Sequence, residues 1–125
     1  MRGKVADASV LGAIAFREDR GPEALTLLGG GPLYEPPLLT YELASIARKK
    51  HLSGLGQIDD LARLLTAALT TEIHWVEINP PEVLRLAVET GLTTYDASYL
   101  YVAKVMDLPL VTFDERLARA AASLA

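Results

Sequence analysis

Short apolar runs alternate with helical hydrophobic patterns along this chain. Four apolar runs predict β-strands at 3–6, 33–35, 73–78 and 108–112. Between them, apolar residues recur at spacings of three and four, which predicts helices at 8–17, 22–28, 38–51, 58–69, 80–90, 94–106 and 114–122. In the third helix the apolar stripe consists of Leu39, Leu43, Ile46 and Ala47.

The alternation of strands and helices predicts an α/β fold, in which a parallel sheet is covered by helices on both faces. Functional sites in such sheets form beyond the carboxyl ends of the strands. Asp7 directly follows the first predicted strand, and Asp114 follows the last. No repeat or linker divides the 125 residues, and this length suits one domain, so we expect a single domain over 1–125.

The composition narrows the possible chemistry. Half of the residues are hydrophobic and 22% are charged, as in an ordinary globular protein. The absence of cysteine excludes disulfides, zinc–cysteine sites, iron–sulfur centres and thiol nucleophiles. The formal net charge of −4 argues against binding of nucleic acid by bulk charge, and leaves room for it through a local basic patch or a bound cation. A scarcity of Asn, Gln and Met hints at a thermophilic source.

Membrane and export signals are missing from the pattern. No apolar run reaches the roughly 18 residues that a membrane span needs. Asp7 comes too early for the apolar stretch of a signal peptide to develop. We therefore expect a cytoplasmic protein that makes no membrane contact.

Two acidic residues in predicted helices have no basic residue one helical turn away, unlike most other helical acids. Most helical acids have a basic residue one turn away, as Glu115 has Arg119, and such surface pairs contribute little. Glu42 and Asp96 have no basic residue at three or four positions, and both lie on or beside an apolar stripe. A buried lone carboxylate is costly unless something compensates it. A shared hard cation such as Mg²⁺ or Mn²⁺, which takes oxygen ligands, would do so.

Four acids are therefore candidate metal ligands: Asp7, Glu42, Asp96 and Asp114. Each also has a structural interpretation. Asp7 and Asp114 could serve only as helix N-caps. Asp96 could complement the dipole at the start of its helix, and Glu42 could reach solvent.

The acids lie in sequence motifs that resemble PIN-domain ribonucleases, most closely the small toxins of VapC type. The resemblance covers essentially the whole chain. Its motifs are Val5-Ala6-Asp7-Ala8-Ser9-Val10-Leu11, Leu39-Thr40-Tyr41-Glu42-Leu43-Ala44, Gly91-Leu92-Thr93-Thr94-Tyr95-Asp96-Ala97-Ser98-Tyr99-Leu100 and Leu110-Val111-Thr112-Phe113-Asp114.

The resemblance implies a three-layer PIN-like fold with a central parallel sheet of about four strands, in the order 3-2-1-4, flanked by helices. A further short strand common after the last helix of the family is not predicted here. The resemblance also implies catalytic and metal-binding roles for Asp7, Glu42, Asp96 and Asp114, and puts Thr112 at the position of a hydroxyl often found beside the fourth acid. Ser9 lies close enough to Asp7 to orient it or a metal-bound water, although Ser9 and Thr112 could instead be a helix cap and a strand-end residue. The implied activity is endonucleolytic cleavage of RNA with Mg²⁺ or Mn²⁺. Whether one or two metal ions bind is left open.

Substrate and partner expectations follow. Arg48, Lys49 and Lys50 end the third helix and form a candidate RNA-binding patch, although basic residues at a helix C-terminus also complement its dipole. Tyr95 and Tyr99 flank Asp96, and an exposed one could stack on an unpaired base. The resemblance implies a cognate antitoxin whose C-terminal segment lies across the acidic groove, and a homodimer.

Three alternatives remain. A PIN-like scaffold could bind RNA or protein without cleaving it. A housekeeping RNA-processing nuclease would carry the same residues as a toxin. A phospho-acceptor receiver domain has a similar length, but it needs paired acids after its first strand and a Lys after its last. Here Asp7 stands alone and Asp114 occupies the place of that Lys.

Overall fold

The structure is a computed structural model that describes residues 2–124, so Met1 and Ala125, the two ends of the expected domain, lie outside the described residues. Residues 2–124 form four short strands and seven helices. In chain order they are β1 (Val5–Ala6), α1 (Ala8–Ala15), α2 (Gly21–Leu28), β2 (Leu33–Glu35), α3 (Leu38–Leu52), α4 (Ile58–Leu69), β3 (Ile73–Trp75), α5 (Pro80–Thr90), α6 (Thr94–Met106), β4 (Leu110–Val111) and α7 (Glu115–Ser123).

The strands form two parallel pairs, β1 with β4 and β2 with β3. One parallel bridge between Lys4 and Leu33 joins the two pairs, and Tyr34 N donates to Lys4 O at 2.9 Å. The strands thus form two two-stranded sheets that adjoin through this bridge, and the expected single sheet in the order 3-2-1-4 is confirmed only in part. The two inner strands share a single bridge instead of the continuous ladder of the expected sheet, because Ala6 N donates to the side chain of Glu35 at 2.9 Å.

Local signals explain where the helices begin and end. Asp7 caps α1, which is the structural role that the sequence allowed for it. Asn79 caps α5 by accepting a hydrogen bond from Glu82 N at 3.1 Å. Gly91 ends this helix with φ 74°, a left-handed conformation that glycine adopts without steric cost. The strands are shorter than predicted at 73–78 and 108–112, since pairing stops at Trp75 and Val111.

Two groups of buried side chains form the core. The larger group packs β1, α1, α3 and α6 together and includes Val5, Val10, Leu39, Leu43 and Tyr99. The smaller group lies between α5, α6 and α7. The elements that carry Asp7, Glu42 and Asp96 thus share one core, which fixes their backbones relative to each other. Within residues 2–124, no helix combines the length and apolar character needed to cross a membrane.

Candidate active site

Asp7 is buried at the junction of β1 and α1, with 5% of its surface exposed. Its Oδ1 accepts hydrogen bonds from the Ser9 hydroxyl at 2.6 Å and from Val10 N at 3.4 Å. Its Oδ2 accepts a hydrogen bond from the Thr112 hydroxyl at 2.6 Å. Both carboxylate oxygens are therefore held in place by neutral donors, so the side chain has little freedom to rotate.

The segment after β4 is tied to the start of α1 by the same hydroxyl groups. Thr112 Oγ1 accepts a hydrogen bond from Asp114 N at 2.9 Å, and Ser9 Oγ accepts one from Phe113 N at 3.2 Å. Asp114 is exposed and caps α7, with Oδ1 accepting from Leu117 N at 2.9 Å. Ser9 and Thr112 thus fix the position of Asp7 relative to Asp114.

Glu42 approaches this junction from α3. The hydroxyl of Tyr99, a fully buried residue of α6, donates a hydrogen bond to Glu42 Oε1. Burial raises the pKa of Glu42, and the negative charges of Asp96 and Asp7 raise it further, against the opposing effect of the Tyr99 hydrogen bond. Burial and the hydrogen bond to Glu42 raise the pKa of Tyr99. Tyr99 is consequently a buried positioning group and is not available for stacking on a base.

Asp96 lies in the first turn of α6 and is half-buried. Its backbone N donates to the Thr93 hydroxyl, the N-cap of the helix, at 3.1 Å. Burial raises the pKa of Asp96, as do the charges of Asp114 and Asp7, while the charge of Arg116 lowers it. The structure therefore brings the four sequence-predicted acids within electrostatic range of one another.

The donor chemistry of these acids fits a hard divalent cation. All four offer oxygen, the ligand that Mg²⁺ and Mn²⁺ prefer. Burial raises the pKa values of Glu42 and Asp96, and repulsion by neighbouring carboxylates raises them further. A bound cation would relieve that repulsion. Among residues 2–124, no three such side chains are already placed to hold one metal ion together.

Glu35 is a neighbour of this site that sequence reasoning missed. It is fully buried at the end of β2, where Oε2 accepts a hydrogen bond from Ala6 N, and Oε1 has no partner among the described residues. Burial raises the pKa of Glu35 well above its usual range, and the charge of Asp7 adds to the effect. The sequence offered one signal for Glu35, an acid without basic neighbours in an apolar strand. The criterion that singled out Glu42 and Asp96, the lack of a basic residue one helical turn away, applies only to helices.

The predicted basic patch is divided in the structure. Lys50 is half-buried and forms an ion pair with Glu18 at 2.9 Å. Arg48 and Lys49 are exposed, and Lys49 lines a groove together with Glu42. Of the three predicted patch residues, Arg48 and Lys49 are therefore exposed to solvent, and Lys50 is paired with Glu18.

The two histidines have partners outside the group formed by Asp7, Glu42, Asp96 and Asp114. His51 Nδ1 is 3.0 Å from Gly56 O. His74 stacks on Tyr34 at 4.7 Å between ring centroids and pairs with Glu72 at 3.1 Å. Both imidazoles thus have structural partners.

Comparisons with known proteins agree with the fold and with the sequence motifs. The family model described as PIN domain matches residues 4–123. Exonuclease VapC9 of Pyrobaculum aerophilum is 39% identical over 116 residues, which cover 89% of this chain and 80% of that protein. Ribonuclease VapC3 of the same organism is 28% identical over 119 residues, which cover 91% of each protein.

Solved structures show the same similarity. The crystal structure of PAE2754 from Pyrobaculum aerophilum superposes with a TM-score of 0.74 and 32% identity, covering 98% of this chain and 95% of the other. Mycobacterium tuberculosis VapC20, described as a sarcin–ricin loop cleaving toxin, superposes with a TM-score of 0.68 over 93% of each chain. Its 15% identity makes it evidence for the fold alone. The match over residues 4–123 and the 39% identical relative show that this chain belongs to the PIN-domain family.

Proposed function

We propose that this protein is a metal-dependent endoribonuclease of VapC type, which hydrolyses RNA phosphodiester bonds as the toxin of a toxin–antitoxin pair. The observation that carries the proposal is the convergence of Asp7, Glu42, Asp96 and Asp114 at the carboxyl ends of β1 and β4 in a PIN fold. The relatives named exonuclease and ribonuclease support nuclease chemistry. Because those names differ, cleavage inside the RNA chain is the part that most needs a test.

Each acid has a proposed role. Asp7 and Asp96 would be direct ligands of Mg²⁺ or Mn²⁺, because Asp7 is rigidly held and Asp96 lies within electrostatic range of Asp7 and Asp114. Glu42 would be a further ligand or would orient the attacking water. Asp114 would hold a second metal ion or act through water. When bound, the cation supplies an activated water and neutralises charge on the phosphate.

The remaining side chains would prepare these acids for their task. The hydroxyls of Ser9 and Thr112 donate to the two oxygens of Asp7 and would hold the carboxylate in the orientation that a metal ion needs. Tyr99 holds Glu42 in the same way from α6. This rigid support fits general metal-site design, in which the groups behind the ligands set their orientation.

RNA and a cognate antitoxin are the proposed partners, and a homodimer is the proposed assembly. Arg48 and Lys49 would contact the RNA backbone. An apolar groove of about 400 Å³ between α1, α2 and α4, with Lys4 and Arg17 at its edge, offers surface that a partner segment could cover. Exposed apolar residues such as Leu84 and Val88 support association of copies.

Cleavage of a circular single-stranded RNA tests the proposed activity, because only an endonuclease can open a circle. We expect opening with Mg²⁺ or Mn²⁺ and none with EDTA. The variant Asp96→Asn is expected to lose at least about 100-fold in rate, since it removes a proposed ligand charge. The matched control Asp59→Asn changes an exposed acid on α4 and should cleave normally.

Other outcomes would revise the proposal in distinct ways. Cleavage that persists in Asp96→Asn would place the activity elsewhere or in a contaminant. Degradation of linear RNA with intact circles would indicate an exonuclease at the same site. A folded, metal-binding protein that cleaves neither RNA would favour the non-catalytic scaffold.

A further inference from the structure

A groove with two exposed tyrosines adjoins the acidic site. It has a volume of about 400 Å³ and lies between α3 and the start of α6. We call it the tyrosine groove, and the residues relevant to its chemistry are Ala8, Tyr41, Glu42, Ser45, Lys49 and Tyr95. Because Glu42 forms part of its wall, the groove is continuous with the proposed catalytic centre.

The two tyrosine rings are exposed to an unusual degree for aromatic side chains. Tyr41 is 75% exposed and Tyr95 is 61% exposed, whereas Tyr99 is completely buried. Each exposed ring is the neighbour in sequence of a proposed metal ligand, Glu42 or Asp96. A single exposed aromatic residue needs no explanation. Two that line one groove beside a catalytic centre form a surface suited to a flat ligand.

The polar groups of the groove point to a nucleotide as that ligand. Among residues 2–124, Lys49 forms no ion pair with an acid, in contrast to Lys50, which binds Glu18. Its ammonium group is thus free to contact a phosphate. The Ser45 hydroxyl offers a donor and an acceptor to a base edge. Aromatic rings beside a cationic side chain are the usual platform for unpaired nucleobases.

We propose that the tyrosine groove holds the unpaired nucleotide next to the cleaved phosphate of the RNA. Its base stacks on Tyr41 and Tyr95, and its phosphate contacts Lys49. This inference rests on the proposed ribonuclease function and narrows its substrate class. Since a base inside a duplex has no free face to offer, the enzyme selects RNA with an unstacked base at the cleavage site.

A binding experiment with abasic RNA tests the stacking directly. The Asp96→Asn variant serves as the background because cleavage must not interfere. Fluorescence anisotropy with Mg²⁺ measures its affinity for a labelled single-stranded RNA, and for a series in which one abasic nucleotide is moved along the chain. One position in the series should weaken binding about tenfold, equivalent to about 1.4 kcal/mol.

Variants then connect that position to the groove. Tyr41→Ala and Tyr95→Ala should each weaken binding of intact RNA by about tenfold and remove the sensitivity to the abasic nucleotide. Tyr41→Phe and Tyr95→Phe keep the rings and should behave like the background. Trp75→Ala removes an exposed aromatic ring outside the groove and should change nothing. All five changes affect exposed side chains, so melting temperatures should match the background.

The proposal is overturned if the alanine variants bind RNA normally, or if no abasic position affects binding. If those variants bind RNA normally and instead lose a protein partner, the groove is a protein contact. Failure of the proposed function is distinguishable from these results, because it is shown by absent cleavage in the wild-type protein with Mg²⁺ or Mn²⁺, whereas base-dependent binding is measured separately.

Discussion

Replacing Glu35 by Gln tests whether the buried carboxyl group beside β1 is protonated in the folded protein. The side chain is fully buried, and only one of its oxygens has a hydrogen-bond partner among the described residues. Burial raises the pKa of Glu35 well above its usual range, and the charge of Asp7 acts in the same direction. Gln has the same shape, keeps an acceptor for Ala6 N and cannot ionise.

The expected effect is a dependence of stability on pH that only the wild-type protein shows. Unfolded Glu releases its proton near pH 4.5, whereas folded Glu35 keeps its proton to a much higher pH. Between those two pKa values the folded state binds one proton more, so the wild-type free energy of unfolding falls as pH rises. One proton corresponds to a slope of at most about 1.4 kcal/mol per pH unit. The contribution is complete below the unfolded pKa and lost as pH rises through the folded pKa.

Urea unfolding of both proteins from about pH 4.5 to pH 8 measures this slope, since the difference between them isolates Glu35 from other acids. Glu35→Gln should gain stability relative to the wild type as pH increases. Glu89→Gln, which changes an exposed acid on α5, should follow the wild-type curve. A constant difference, or one that moves in favour of the wild type at high pH, would refute the reasoning.

Two further predictions concern the acidic site. Thr112→Val removes the hydroxyl that donates to Asp7 and accepts from Asp114 N. Calorimetry should show Mn²⁺ binding weakened about 10- to 100-fold. The free energy of unfolding should fall by roughly 1–3 kcal/mol. Thr112→Ser should restore both, and unchanged Mn²⁺ affinity in the valine variant would contradict the positioning role. Because the pKa values of Glu42 and Asp96 are raised, protons should compete with Mn²⁺ at a higher pH than for ordinary carboxylates. The affinity should therefore still be rising with pH above the ordinary carboxyl pKa values of 4.5 for Glu and 3.8 for Asp, and an affinity that is already constant there would contradict this prediction.

Helices were predictable because their signals are local. Asn79, Pro80 and Gly91 mark both ends of α5 in the sequence itself, and the structure agrees. Strand lengths were less predictable, because a strand ends where its partner ends. The alternating pattern at 73–78 continues past Trp75, but the last contact with β2 is the hydrogen bond from Val76 N to Glu35 O at 2.9 Å. Pro36 and Pro37, which have no N–H, follow and lead into α3.

The candidate site shows the same distinction between local and distant information. Glu42 and Asp96 could be identified as candidate ligands from the sequence because their own helices offer no basic partner. Lys50 was grouped with its neighbours because its partner, Glu18, lies on another segment and no local rule predicts that contact. Glu35 was missed because its burial depends on how β2 packs beside β1.

The two interpretations of Asp7, helix cap and metal ligand, describe one geometry. Capping α1 places Asp7 Oδ1 against Val10 N, and the hydroxyls of Ser9 and Thr112 fix the rest of the carboxylate. None of these donors carries a charge, so the negative charge of Asp7 is uncompensated, and it contributes to the raised pKa of Glu42, Asp96 and Glu35 alike. A carboxylate that served only as a helix cap could be exposed, and solvent would then screen its charge. A buried, immobile carboxylate that makes its neighbours harder to ionise is instead what a divalent cation would best stabilise.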